Sequence, residues 1–413
     1  MASRLGGIGD AFADRNFRRY SAGAIVSWLS FFVQSVAVSW TAWDLTHSAR
    51  WLAIVAVLDA APNIVLMPLG GVLADRYDRF RILLTAYAVA TLQAALLAGL
   101  AFSGALTIGW LAALASLHGA AHAFSIPAQY GMLPRFVDRT RMASAISVSA
   151  AYTQLGLFAG PALAGWVIVH YGTAVAFAAN VAGYACYFAC VATLRTPPGY
   201  SQPAASGKAL VADLLDGLRA IAGHRGIVAL LALMLCGDAL AATVRQMAPA
   251  LSATVLGAGV AGVSTLLSCG GIGATLSALW LAHGGAKRVA SSIILRAFLG
   301  VLAGFAALPL SPSLPVAGAA MVVLGCSFEI CRTGAVALLQ TSVPDAVRGR
   351  VMSTQFLLLR LAGAVGVSAI GAAAGTWGLR VPMLAAAGGA LLVWCFTFRA
   401  RARIAADFAR PVA

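Results

Sequence analysis

Charge is scarce in this chain. Of 413 residues, 10% are charged and only 13 are acidic, against 61% hydrophobic residues, and the mean hydropathy is +0.88. So little polar side chain cannot cover a water-soluble globule of this length, which excludes the usual soluble enzyme or binding domain. Catalytic signatures are missing as well. No H-E-x-x-H, no G-x-S-x-G and no phosphate-binding P-loop occurs, so zinc hydrolysis, a serine nucleophile and nucleotide-driven pumping lack their residues. The seven cysteines, Cys186, Cys190, Cys236, Cys269, Cys326, Cys331 and Cys395, lie in apolar stretches without a C-x-x-C pair and read as small packing residues. No cofactor, no metal and no enzymatic activity is expected. The opening residues, MASRLGGIGDAFADRNFRRY, lack an apolar core followed by a small-residue cleavage site, so a removable signal is not expected.

What fills the chain is apolar sequence. Runs of about 20 apolar residues can cross a bilayer as helices, and twelve are present: 20–44, 51–74, 82–102, 106–129, 143–169, 173–194, 226–251, 260–282, 289–310, 314–340, 351–376 and 380–399. An all-α membrane protein of twelve transmembrane helices is expected. If the first end is cytoplasmic, twenty-two Lys and Arg fall in loops on that side and only Arg50 and Arg380 on the other, with Arg245, Arg296, Arg332 and Arg360 inside spans. The positive-inside rule requires such sorting, whereas a nucleic-acid surface gives basic residues no reason to alternate from loop to loop. The net charge of +15 therefore reads as topology, with lipid as the surroundings, both termini cytoplasmic and no nucleic-acid partner. Trp43, Trp51, Trp110 and Trp377 lie at the opposite span ends, where an aromatic belt belongs.

Residues 195–225 divide the spans six and six. This stretch opens rich in Pro, Ser and Gly and closes with Leu210, Val211, Leu214, Leu215, Leu218 and Ile221 at helical spacing. The expected organisation is a six-helix bundle over 1–194, a central cytoplasmic loop with an amphipathic helix over 195–225, a second six-helix bundle over 226–400 and a cytoplasmic tail over 401–413. RFVDRTRMASA (135–145) has a copy in PDAVRGRVMST (344–354), which matches Arg139 and Arg141 to Arg348 and Arg350. Two related halves account for the repeat.

Between the second and third spans stands GGVLADRYDRFRIL (70–83), with two aspartates and three arginines between apolar runs. Together with the twelve spans and the central loop, its pattern G-x-L-A-D-R-x-x-R-x-R resembles the major facilitator superfamily, and the resemblance covers the whole chain. Gly71, Leu73, Asp75, Arg76, Arg79 and Arg81 stand at the motif's positions, while Asp78 occupies a place where glycine is usual. Combined with DLT-S-A (44–49), LLDGLRAIAGH and VPDAVRGRVMS, it resembles the bacterial exporter branch that includes enterobactin-type siderophore exporters and macrolide efflux proteins. The resemblance implies two pseudo-symmetric halves in the bacterial inner membrane. It also implies alternating access and proton-driven export of a small organic molecule such as a siderophore or drug. A monomer is expected. A proton-coupled uptake symporter and a transport-inactive sensor or assembly subunit are the alternatives.

A hairpin at the inner face must meet the other half when the inner mouth closes. Asp75, at a helix end, can bind the positive start of another helix or an arginine, and Arg348 and Arg350 are the candidates; the resemblance implies the same latch. Span five carries Gly156, Gly160, Pro161 and Gly165, which resemble the superfamily's antiporter motif and favour export, although Ala164 and Ser147 stand where the full pattern has glycine. Glycines four apart also serve plain helix packing.

Charges within spans are costly in lipid and mark cavities or pairs. At about 1.5 Å per residue, Asp238 lies about 18 Å into span seven, Glu329 about 17 Å from the end of span ten and Arg360 about 14 Å into span eleven, depths at which transporters hold substrates and coupling ions. Glu329 and Arg332, three apart, can pair on one helix face, as a structural pair or as working parts of a cavity. Asp238 and Arg245 share a face but are too distant to touch. Asp59 in span two is a second proton-site candidate. His118 and His122, four apart on span four, lie where many superfamily exporters have a motif centred on arginine; no arginine occurs here, which leaves the histidines as relays or as polar packing. Gln34 and Trp40, with Phe31 and Phe32, are candidates to line a pocket for a bulky organic molecule.

Overall fold

The computed structural model describes residues 14–132, 136–137, 142–194, 210–284, 291–343 and 345–402, among which the regular structure is helical and no strand occurs. In a hydrocarbon setting every backbone N–H and C=O must be satisfied by the protein itself, and a helix does this within a single segment. The helices are α1 Arg15–Thr46, α2 Ala49–Arg76, α3 Arg79–Phe102, α4 Ile108–Met132, α5 Met142–Ala192, α6 Leu210–Ala222, α7 Arg225–Thr254, α8 Gly259–Gly284, α9 Ser291–Ala307, α10 Leu314–Ser342, α11 Asp345–Trp377 and α12 Arg380–Arg399. Polar residues mark the starts. The Asp14 carboxylate accepts from Phe17 N at 2.8 Å before the second turn of α1, Asp78 caps α3, and His224 caps α7 through Ile227 N at 3.2 Å.

Among the described residues ten helices are long and apolar enough to cross a membrane. One of them, α5, changes direction at Gly172, whose φ of 84° and ψ of 169° are open to glycine and costly for any residue with a Cβ. The two arms of α5 therefore correspond to the fifth and sixth apolar runs. Helix α4 is not among the ten, because His118 and His122 dilute its apolar residues. Trp51, Trp110 and Trp377 are exposed as an aromatic belt requires, but Trp43 is buried, so its indole packs inside the protein.

The chain forms two compact units, one from Met1–Thr46 and Leu58–Ser206, the other from His47–Val57 and Gly207–Ala413. In the first unit α1 packs along both arms of α5. Small residues make this possible: a Cβ on Gly156 would lie 3.0 Å from the Phe32 ring and 3.1 Å from the Trp28 carbonyl, and one on Gly183 would overlap the Ser30 hydroxyl. The core there is aromatic, with Phe17, Tyr20 and Tyr187 fully enclosed. In the second unit α7 and α11 run side by side in the same direction, Met234 meeting Gln355 near their starts and Met247 meeting Gly371 further along. Midway, Gly363 and Gly366 let α11 close onto Ala242 and Ala239 of α7.

Candidate functional site

Two clusters of ionisable residues lie within the apolar bundles. In the first unit the backbones of α2 and α4 touch, because Gly119 has no side chain: a Cβ there would overlap the Asp59 carbonyl oxygen. Asn63 Nδ2 also donates to the Gly119 carbonyl at 3.4 Å. This crossing sets the neighbouring His118 ring on Asp59, with Nδ1 2.9 Å from Oδ1. On its other edge Nε2 lies 3.3 Å from the Tyr184 hydroxyl of α5. A carboxylate only accepts, so Nδ1 carries the proton and, in the neutral ring, Nε2 accepts from Tyr184 O–H. The chain Asp59–His118–Tyr184 thus runs from a side chain 43% exposed to a histidine 10% exposed.

Aromatic stacking fixes the rings. His122 stacks on Phe31 at 4.9 Å and on His118 at 5.7 Å between centroids. These residues and Tyr184, Ser27, Trp28 and Gln129 line one small cavity. Gln34 is placed deeper, in a buried ladder: its Nε2 donates to Gln93 Oε1 at 3.2 Å, and its Oε1 accepts from Asn180 Nδ2. Trp40 is half-buried on α1 and does not line this cavity. Tyr184, Gln93 and Asn180 escaped the sequence reading; as polar groups inside apolar runs they carried the same signal as Gln34.

The second unit holds the other cluster. Arg332 grips Glu329 with Nη2 2.8 Å from Oε1 and Nε 3.1 Å from Oε2, and Thr333 donates its hydroxyl to Oε1 at 2.6 Å. Glu329 is thereby buried and satisfied, whereas the Arg332 side chain remains 46% exposed. Asp238 on α7 is within electrostatic reach of Arg245, Arg360 and Arg332, in that order of strength. Arg360 places its guanidinium 5.2 Å from the Phe356 ring centre, a cation–π contact. Arg245 and Arg360 are both exposed side chains.

At the helix ends, the side chains of Asp75 and Arg76 lie outside the described residues, as do Arg139 and Arg141. Asp78 turns its carboxylate to Phe80 N at 3.1 Å, an N-cap for α3, and Arg79 Nε donates to the Ala74 carbonyl of α2 at 2.9 Å. Gly71 has open space beside it, and Arg81 is exposed. Arg348 Nη2 donates to the Val343 carbonyl at 3.0 Å. Arg350 reaches Asp216 of α6 at 3.3 Å, a carboxylate that also takes Arg219. Helix α6 lies close on α11 because Gly217 has no side chain to strike the Arg350 carbonyl. Of its apolar residues, Ile221 is buried, Leu218 is exposed, and the side chains of 210–215 lie outside the described residues. In the antiporter-like run, Gly160 meets Phe32, while Pro161 and Gly165 are buried within α5.

Comparison with known proteins agrees with this architecture. The family described as transmembrane secretion effector matches residues 10–409. The staphyloferrin A transporter of Staphylococcus aureus is 26% identical over 173 residues, 42% of this chain and 43% of that protein. Macrolide efflux protein A of Streptococcus pyogenes is 23% identical over 210 residues, 51% of this chain and 52% of that protein. The chain thus spans about half the length of the curated relatives it matches. A bacterial homologue of the human lysosomal transporter Spinster, inward-facing and unoccupied, superposes with a TM-score of 0.75 at 14% identity, covering 95% of this chain and 97% of that one. The nucleoside transporter NupG superposes with a TM-score of 0.73 at 14% identity, covering 93% and 98%. With helices that cross a membrane many times, buried charge clusters and a family match along nearly its whole length, the chain belongs to the transmembrane secretion effector family of major facilitator transporters.

Proposed function

We propose that this protein is a secondary active exporter that carries a small organic molecule out of the cytoplasm in exchange for protons. Its apolar runs form twelve spans in two pseudo-symmetric halves, 1–194 and 226–400, joined by the cytoplasmic loop 195–225, in a bacterial inner membrane with both termini inside. It works by alternating access as a monomer.

The observation that carries the reading is the Asp59–His118–Tyr184 chain. With a neutral imidazole the group bears one negative charge in an apolar bundle, which is costly to enclose. A proton taken up at His118 Nε2 turns it into a neutral ion pair and reverses the hydrogen bond to Tyr184, since Nε2–H must then donate. The protonated group is the form that can be closed off from water, so proton occupancy biases which conformation is populated. Asp75 with Gly71, Arg76, Arg79, Arg81, Arg348 and Arg350 forms the inner gate. The Gly156, Gly160, Pro161 and Gly165 run supplies a pliable helix contact. Export, and a siderophore or drug as cargo, follow the relatives named above.

The test is flux into inside-out liposomes with an imposed pH gradient, using staphyloferrin A and a macrolide as cargo probes. Asp59→Asn should lose gradient-driven accumulation and retain exchange of cargo down its own gradient. Undiminished accumulation by this variant would remove the proton role from the chain, and accumulation only under the opposite gradient would favour uptake symport.

A further inference from the structure

We infer that the transported molecule is an organic anion, held in the second unit by Arg245 and Arg360 through carboxylate or phosphate oxygens. The inference rests on the transporter reading above and adds to it the chemical class of the cargo.

The charges within the cluster do not balance. Three guanidiniums, Arg245, Arg332 and Arg360, face two carboxylates, Asp238 and Glu329, and one carboxylate is fully engaged: Glu329 accepts from Arg332 and from Thr333. No hydrogen bond or ion pair engages Arg245 or Arg360 among the described residues, and Asp238 acts on both only at a distance. Two guanidiniums sharing one remote carboxylate, with their side chains open, leave a net positive charge and an array of unused N–H donors. The planar fork of arginine matches the paired oxygens of a carboxylate or phosphate. An uncompensated charge within an apolar bundle is retained where it works on a ligand.

The packing places these groups together. Gly363 and Gly366 bring α11 onto Ala242 and Ala239; Arg360 stands one turn before Gly363, Asp238 next to Ala239, and Arg245 one turn after Ala242. Phe356 under the Arg360 guanidinium holds that side chain on its helix face and offers an apolar wall to the carbon skeleton of a ligand. A lipid phosphate does not fit the position. Arg360 lies about 22 Å from the start of α11 and about 25 Å from its end, near the middle of a span. Glu329 acts as a resident counter-ion that keeps Arg332 from joining the other two.

The test is calorimetric titration of the full-length protein in a neutral detergent at fixed ionic strength and without any pH gradient. The probes are benzene-1,3,5-tricarboxylate, phenyl phosphate and the uncharged benzene-1,3,5-tricarboxamide. Both anions should bind, and the amide should not. Arg245→Gln and Arg360→Gln should each weaken anion binding about ten-fold or more, the loss of a charge-assisted hydrogen-bond pair. Arg296→Gln, the same charge change on the exposed face of α9, should leave it unaltered. Glu329→Gln releases Arg332 and should tighten binding, a gain that a misfolded variant cannot mimic. The inference is overturned if neither anion binds, if the amide binds as well as the acids, or if the Arg245 and Arg360 variants bind like the parent while Glu329→Gln changes nothing. Because no proton gradient enters the assay, this result is independent of whether Asp59 couples transport.

Discussion

Breaking the Glu329–Arg332 pair should cost unequal amounts from its two sides. The carboxylate is 8% exposed and the guanidinium 46%, so the two residues have different alternatives when deserted. Arg332→Gln strands Glu329 in a buried site with the Thr333 hydroxyl as its remaining hydrogen-bond donor, the situation in which a buried pair loses about 3 kcal/mol or more. Glu329→Gln leaves an arginine side chain that is already 46% exposed and can turn away from the deserted site, so the loss is closer to that of an exposed pair, about 1 kcal/mol. Exposure of Arg332 is what reduces the second figure. The double variant has no charge to strand and should lie about 1 kcal/mol below the parent. Unfolding midpoints of the purified protein in detergent, read for the parent, both single variants and the double, form a complete cycle. Equal losses from the two single variants, or a double variant whose loss is the sum of both, would refute the argument that burial of Glu329 sets the cost.

Gly119→Ala should destabilise the first unit by about 1 to 3 kcal/mol, the range for overpacking, because the methyl would overlap the Asp59 carbonyl; the thermal midpoint checks it, and loss of the His118–Asp59 contact should abolish coupling even in protein that folds. Asp78→Ala removes the cap of α3 and should cost about 1 kcal/mol with little effect on transport, whereas a cap-forming Asp78→Ser should restore the midpoint. Asp75→Asn should slow transport at normal membrane insertion and weaken cysteine cross-links placed across the inner mouth, measured by gel shift after oxidation. Asp216→Asn should loosen α6 by removing the partner of Arg350, and faster proteolysis within residues 195–225 would register it.

The motifs legible in the sequence survive in different degrees. Glu329 and Arg332 pair as their three-residue spacing allows, because neighbours on one helix need no tertiary information to meet. Asp78 stood out as a departure from the motif; in the structure it caps α3 through Phe80 N, while Arg79 donates to the Ala74 carbonyl at the end of α2. Arg350, assigned to the gate from the repeat, is held by Asp216 of the linker helix, a partner 134 positions away that no periodicity announces. Asp59 and His118 were legible singly, as polar residues in apolar runs, but not as partners.

Composition and hydropathy alone determined that this chain is helical and crosses a membrane many times, since continuous apolar runs of about 20 residues suit a helix, which satisfies its own backbone, and not the short alternating strands of a closed barrel. The family motif, too, was readable as a string, because it is local. Tertiary structure alone decided which ionisable groups meet. That choice depends on helix crossings, which are set by where a missing Cβ lets two backbones approach: Gly119 joins Asp59 to His118, and Gly363 with Gly366 closes the stretch of α11 next to Arg360 onto the stretch of α7 between Asp238 and Arg245. A glycine in the sequence does not name the helix it will touch, and so the charge clusters could be listed from the sequence but not assembled from it.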